Sequence, residues 1–491
     1  MGRDERVAGP LIIRLPRVPG DPLSQRLRLA SPAGKCALLA SVLGSGMAFL
    51  DSTAVNVALP SLARDFNAGF AWFQWVLNAY LVALSALVLP GGALADRLGR
   101  RRVFITGAAG FAAASALCAW APDIGTLVVA RGLQGIAAAL LIPSSLAMVQ
   151  AGFAEADRGR AIGLWSGLSG LSTLVGPLLG GWLVDTVSWR AVFVLNLPVA
   201  ALAILLALFA IDRDRATSRR TPLDTPGAVM AAGMLGAVVF ALTQGPEWGW
   251  SHPAVLAALA LGALATLGFV DAERNHSAPM LPLHHFGSRD FIGANGVTLC
   301  VYFALSGLFF LLTIQLQRVL GYSALSAGAA VAPVTLLLLL LSPAAARRAT
   351  SHGPRGLLVV GPLMAAAGAL LLSRVRPGVA YAPDVLPGIM VFGLGLALTV
   401  APVTAAALDA LDPSRAGVAA GVNNAVARTG QLLAVPILPL LAGLTGPGQV
   451  GGLDFSRGFQ LACRLAALVL ILAALTAWAA LPRLAKARLP T

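Results

Sequence analysis

Charge is what this chain has least of. Only 11% of its 491 residues are Asp, Glu, Lys or Arg, against roughly 25% in a soluble domain. So few charges cannot cover a water-exposed surface of this size, which excludes a soluble enzyme and a disordered chain alike. The four cysteines are scattered without metal spacing or evident pairing, which excludes a disulfide scaffold. All five histidines lie outside the apolar stretches, including the pair His284 and His285. A membrane-embedded enzyme would need His, Asp, Glu or Ser clustered at one depth, so no enzymatic activity and no metal site is expected. No phosphate-binding loop is present, so nothing here hydrolyses ATP. A non-transporting sensor is disfavoured too, because no room remains for a soluble output domain.

Apolar residues are abundant instead, at 57%, and the mean hydropathy is +0.81. A bilayer-spanning helix needs about 20 apolar residues. Fourteen such stretches can be marked, from 36–59 at one end to 460–481 at the other. The expected class is an all-α integral membrane protein embedded in the lipid bilayer.

The formal charge of +14 first suggests nucleic acid or an anionic membrane. Its distribution decides otherwise. With both termini placed in the cytoplasm, 26 basic residues fall on the inner side and 6 on the outer, leaving Arg131, Arg428 and Arg464 within spans. That is the positive-inside pattern, and no nucleic-acid partner is needed to explain the charge. Trp72, Trp75, Trp120, Trp182, Trp189, Trp248 and Trp250 all map to outer helix ends, as an aromatic belt would. The first 35 residues lack the form of a cleavable signal peptide. Nearly all the basic residues are arginine, which points to a GC-rich bacterial genome.

Asp51 stands alone as a buried acid, in Leu50-Asp51-Ser52-Thr53-Ala54-Val55-Asn56. A carboxylate in hydrocarbon costs several kcal/mol (about 3 or more) unless paired, hydrated or protonated. Burial disfavours its charged form, a useful property for a group that loads and releases protons. The plainer alternative is a carboxylate that only ties helices together. Arg131, near the start of span four in Arg131-Gly132-Leu133-Gln134-Gly135, is the natural counter-charge, in a coupling role or a purely structural one. Span two ends in Gly92-Ala93-Leu94-Ala95-Asp96-Arg97-Leu98-Gly99-Arg100-Arg101-Arg102, a tight basic turn in which Asp96 can pair with arginine or cap a helix. Span five carries Gly163, Gly167, Gly170, Gly176, Pro177, Gly180 and Gly181, which suits close helix packing or a hinge.

Together these segments resemble the major facilitator superfamily, and within it the fourteen-helix drug/proton antiporters. Gly92 to Arg102 is similar to the superfamily's loop signature, and Arg131-x-x-Gln134-Gly135 to its helix-four motif linked to proton transfer. Gly163 with Gly176-Pro177-x-x-Gly180-Gly181 resembles the helix-five antiporter motif, with Ser172 where another glycine is usual. Leu50-Asp51-x-Thr53-x-x-Asn56-x-Ala58-Leu59-Pro60 resembles the helix-one motif of fourteen-helix exporters. A worn copy of the loop signature follows span ten, where Thr350 takes the acid's place in Ala346-Arg347-Arg348-Ala349-Thr350-Ser351-His352-Gly353-Pro354-Arg355.

The resemblance implies two six-helix bundles, 36–211 and 291–482. Two inserted helices lie in a linker region at 212–290, and cytoplasmic tails at 1–35 and 483–491. It also implies alternating access about a midplane site. Asp51 would take the proton with Arg131 as partner, the proton gradient would replace any cofactor, and the protein would work as a monomer in a bacterial cell membrane. The expected function is proton-coupled export of amphipathic, drug-like small molecules, and the alternative is proton-coupled uptake of a metabolite. Candidate substrate contacts are Asn56, Gln134, Asn295, Tyr302, Gln315, Gln317, Asn423, Asn424 and Arg428. With one deep acid and two deep arginines facing the interior, the pocket is not specialised for multivalent cations; a neutral, zwitterionic or anionic compound fits at least as well.

Overall fold

The computed structural model describes residues 27–211, 224–275, 288–412, 416–444 and 452–481. His284 and His285 lie outside these. Fourteen membrane-length helices account for nearly all of the described chain. The first six are α1 (Pro32–Asp65), α2 (Phe70–Leu98), α3 (Arg100–Ala119), α4 (Ile124–Gly152), α5 (Glu155–Thr186) and α6 (Trp189–Ala210). Next come α7 (Thr225–Trp248) and α8 (Pro253–Asn275). The last six are α9 (Arg289–Val319), α10 (Ala324–His352), α11 (Arg355–Leu372), α12 (Tyr381–Asp409), α13 (Ala416–Leu441) and α14 (Gly452–Ala480).

Thirteen of these are long and apolar enough to span a membrane. The remaining one, α13, is diluted by Asn423, Asn424, Arg428, Thr429 and Gln431. Its polarity is the first sign that it faces something other than lipid. With no water in hydrocarbon, the backbone must satisfy itself, which is why helices carry almost everything. Polar residues start them where the chain leaves the bilayer: Ser31 accepts from the Gly34 amide at α1, Asp123 from Thr126 at α4, and Ser323 from Ser326 at α10.

The helices outrun the apolar stretches. α5 extends back to Glu155 because polar residues beyond the hydrocarbon remain helical. Trp189 is a correction to the aromatic belt: it is buried, its indole Nε1 donates to Asp65 Oδ2 at 2.6 Å, and its ring meets Phe66 and Phe193. Trp72, Trp120, Trp182, Trp248 and Trp250 are exposed.

Helices α1 to α6 pack among themselves, chiefly α2 on α4, α1 on α5, and α3 on α4. Helices α9 to α14 do the same, with α9 on α13 and α14, and α11 on α12 and α14. The two groups meet along two seams, α5–α10 and α2–α13. Helix α7 packs on α8 and lies over the second seam, touching both α2 and α13.

The face carrying the N-terminal end of α1 and the arginine-rich α2–α3 turn is the basic face. At that turn Gly99 adopts φ 96°, and at the α10–α11 turn Gly353 adopts φ 89°, a region costly for any side chain. The two turns share a backbone but not a chemistry. Asp96 Oδ1 pairs with Arg100 at 3.1 Å, whereas Thr350 donates to the Arg347 carbonyl of its own helix. Arg101 reaches the Leu208 carbonyl at the end of α6.

Candidate functional site

Asp51 sits past the middle of α1 and is fully buried. Arg131, two turns beyond the Asp123 cap of α4, is buried as well, and its NH1 meets Asp51 Oδ2 at 2.5 Å. The other carboxylate oxygen, Oδ1, accepts from Gln134 Nε2 and from Asn196 Nδ2, both at 2.9 Å. Ser115 Oγ on α3 ties those amides together, accepting from Gln134 at 2.9 Å and Asn196 at 3.2 Å. Arg131 also donates from NH1 to Gln134 Oε1 at 2.6 Å and from Nε to the Val76 carbonyl at 3.1 Å. Its guanidinium carbon lies 4.5 Å from the centre of the Tyr80 ring. Five helices thus converge on one carboxylate.

The arrangement suits the ionised acid. Three donors point at its two oxygens, and Gln134 and Asn196 are held in turn by Ser115. Breaking such a pair by removing one charge strands the other in a dry interior, at a cost of about 3–5 kcal/mol. Outside the membrane segments, Asp123 is held below the usual carboxylate range by the backbone amide and hydroxyl of Thr126.

Sequence reasoning missed Ser115, Asn196 and Tyr80. Asn196 had a readable signal, a lone amide inside an apolar span, the same logic that exposed Asp51. Helix α6 is interrupted at Leu195, directly before it.

The other nominated residues separate into distinct places. Gln134 belongs to the buried cluster and lines no opening. Gln315 is fully buried and donates to Ser456 on α14 at 2.9 Å, so it too lines none. Asn295 and Asn423 are buried partners that, with Thr298, fasten α9 to α13. Asn56 is half-buried and bonds the Ser52 carbonyl of its own helix. Tyr302 and Arg428 are half-buried and Asn424 is exposed. Arg428 crosses between the bundles, with its guanidinium 5.7 Å from the Phe49 ring of α1.

Away from the basic face the bundles are locked together. Gln317 donates to the Val57 carbonyl and Arg318 to the Pro60 carbonyl, at 2.9 and 2.8 Å. Asp185, at the end of α5, accepts the amides of Ala324 and Leu325 at 3.0 and 2.8 Å and so caps α10. One glycine of the motif serves this closure directly: a Cβ on Gly181 would sit 2.6 Å from the Ala324 carbonyl of the other bundle. Gly176 and Gly180 instead seat α5 on α1, their Cβ positions 2.0 Å from Thr53 Oγ1 and 2.7 Å from Ala54 Cβ. Toward the basic face the same helix is bare: a Cβ on Gly159, Gly163, Gly167 or Gly170 would meet nothing within 4 Å. In the α2 signature, Gly91 rather than Gly92 makes the tight approach, its Cβ position 2.1 Å from the Ala139 carbonyl, while Gly92 has ordinary room and Arg97 is half-buried.

Two helical bundles, shut against each other at one face and parted along α5 at the other around a buried ion pair, define a polytopic membrane transporter. The chain belongs to the Major Facilitator Superfamily, whose sequence profile matches residues 41–435. It is 39% identical over 442 residues to the puromycin resistance protein of Streptomyces alboniger, covering 87% of this chain and 88% of that one. It is 34% identical over 404 residues to the tetracenomycin C resistance and export protein of Streptomyces glaucescens, covering 82% and 75%. Against a multidrug resistance protein of Mycobacterium tuberculosis the identity is 35%, covering 82% and 74%. In fold it is similar to a POT family transporter solved with 5-aminolevulinic acid, at TM-score 0.68, 15% identity and coverage of 92% and 96%.

Proposed function

We propose that this protein is a proton-driven exporter of drug-like, amphipathic small molecules. It works as a monomer in a bacterial cell membrane, with the basic face and both termini in the cytoplasm. The names of its relatives, resistance and export proteins, support the direction and the substrate class. No cofactor is needed; the proton gradient supplies the energy.

One observation carries the coupling. The helix that holds Asp51 also holds the lock: its Val57 and Pro60 carbonyls receive α9, and its Thr53 and Ala54 seat α5, whose Asp185 caps α10. A proton on Asp51 removes the charge that ties α1 to Arg131, Gln134 and Asn196. When that proton is taken from outside in the outward-open state, helix α1 shifts relative to α4 and α6 and the lock closes. Loss of the proton to the cytoplasm restores the pair, and substrate loaded on the ionised form carries the bundles back to the outward-open state. Protons entering and substrate leaving are thereby exchanged.

The test is transport in proteoliposomes under an imposed pH gradient. Asp51→Asn should fold and abolish gradient-driven efflux; full coupling in that variant removes Asp51 from the mechanism. The competing reading, metabolite uptake, predicts substrate moving in the same direction as the proton.

A further inference from the structure

The α2–α13 seam holds polar groups that the proton-coupling cluster does not use. Its alignment is fixed at both ends. Gln74 Nε2 donates to the Val435 carbonyl at 3.0 Å, and a Cβ on Gly421 would meet Leu89 at 2.9 Å. At helical spacing, Asn78 and Ser85 lie on the same α2 stripe as Gln74 and Leu89. On α13, Asn424, Arg428 and Gln431 lie on the stripe that carries Gly421 and Val435.

These groups are underused. Asn78 is 0% exposed, yet neither its amide nitrogen nor its oxygen has a partner, and Ser85 Oγ is likewise unpaired. A buried amide without hydrogen bonds costs about 1–3 kcal/mol, so an orphan in a folded chain calls for a missing partner. Arg428 pairs with no carboxylate among the described residues. Its guanidinium, with five N–H donors, makes one side-chain hydrogen bond, from NH1 to Gln431 Oε1 at 3.1 Å. Phe49 offers it a ring face from the opposite bundle. Asn424 is exposed one turn nearer the basic face, so the stripe opens on that side.

We infer that this seam is a substrate subsite for an anionic group, such as a carboxylate or phenolate, carried on an aromatic frame. Arg428 supplies the charge and forked donors, Asn424 supplies an amide, and Phe49 the apolar wall, with the unpartnered Asn78 buried behind them. The inference rests on the exporter reading and narrows its substrate class. An anion pairs with Arg428 without touching Asp51, which leaves the proton site independent of the cargo's charge.

Binding to the purified full-length protein in lipid nanodiscs tests this, with the aromatic carboxylate fluorescein and the aromatic cation ethidium as probes. Arg428→Gln should weaken fluorescein about tenfold, the worth of one charged hydrogen bond, and leave ethidium no weaker. Arg428→Lys should retain part of the affinity. Asn424→Asp, at an exposed position that does not endanger folding, should weaken fluorescein and strengthen ethidium, and it decides the matter if Arg428→Gln does not fold. The subsite is refuted if wild-type protein ignores fluorescein, or if these substitutions change both dyes alike or neither. Gradient-driven dye transport in proteoliposomes separates the two claims. Ethidium pumped with fluorescein ignored sinks the subsite and spares the exporter. Fluorescein bound at Arg428 with no dye moved by a gradient does the reverse.

Discussion

Asn196 and Gln134 donate to the same oxygen of Asp51, each at 2.9 Å, while Arg131 takes the other. Three donors occupy three of the four lone-pair sites, so each of them sets how readily the carboxylate takes a proton. Asn196 is the donor whose loss leaves the Arg131 pair intact. Asn196→Leu should make protonation easier, because it removes a bond that favours the ionised form. The pH profile of transport should move upward, because the ionised form loses a hydrogen bond. Asn196→Gln should sit closer to wild type. A profile that drops in amplitude without moving would mean that Asn196 is structural only.

The ion pair also sets stability. Arg131→Ala strands Asp51 in a dry site and should cost about 3–5 kcal/mol. Asp51→Asn combined with Arg131→Met removes both charges and should regain much of that loss. Thermal unfolding in detergent measures both, and a double variant no more stable than Arg131→Ala would contradict a stranded charge as the cause.

The two ends of α5 should respond differently to one methyl group. Gly181→Ala drives a Cβ into the Ala324 backbone and should prise the locked side apart. Gly167→Ala meets nothing within 4 Å in this state and should leave it unchanged. Spin labels on Val187→Cys and Ser326→Cys, both exposed and outside the Asp185 contact, report the gap, which should widen only in the Gly181 variant.

Gly99 and Gly353 should each resist substitution for backbone reasons alone. Alanine at φ near 90° with extended ψ costs about 1–3 kcal/mol. Because the two turns differ in chemistry, Asp96→Asn should impair transport, whereas Thr350→Val should not, since Thr350 bonds only its own helix. Equal effects at both turns would overturn the asymmetry.

The span count and the Asp51–Arg131 partnership were legible because both rest on large energies: an apolar run must find hydrocarbon, and a buried charge must find its opposite. Neutral polar residues are cheaper to bury, so their partners are set by packing. Gln315 and Gln317 show the difficulty. They are two residues apart on a π-helical stretch of α9, yet one reaches Ser456 within its own bundle and the other reaches Val57 across the interface. No periodicity argument predicts that division. Asn196 was within reach and was overlooked among apolar neighbours; Asn78 stood in the same position.

The placement of α7 makes the two seams unequal toward lipid. One is backed by a helix that touches both α2 and α13, while the other, α5–α10, has no such cover among the described residues and presents bare glycine toward the basic face. The chain thus shields one seam with a helix of its own and leaves the other to its two packing partners alone, so a change in lipid surroundings should be felt first along α5 and α10.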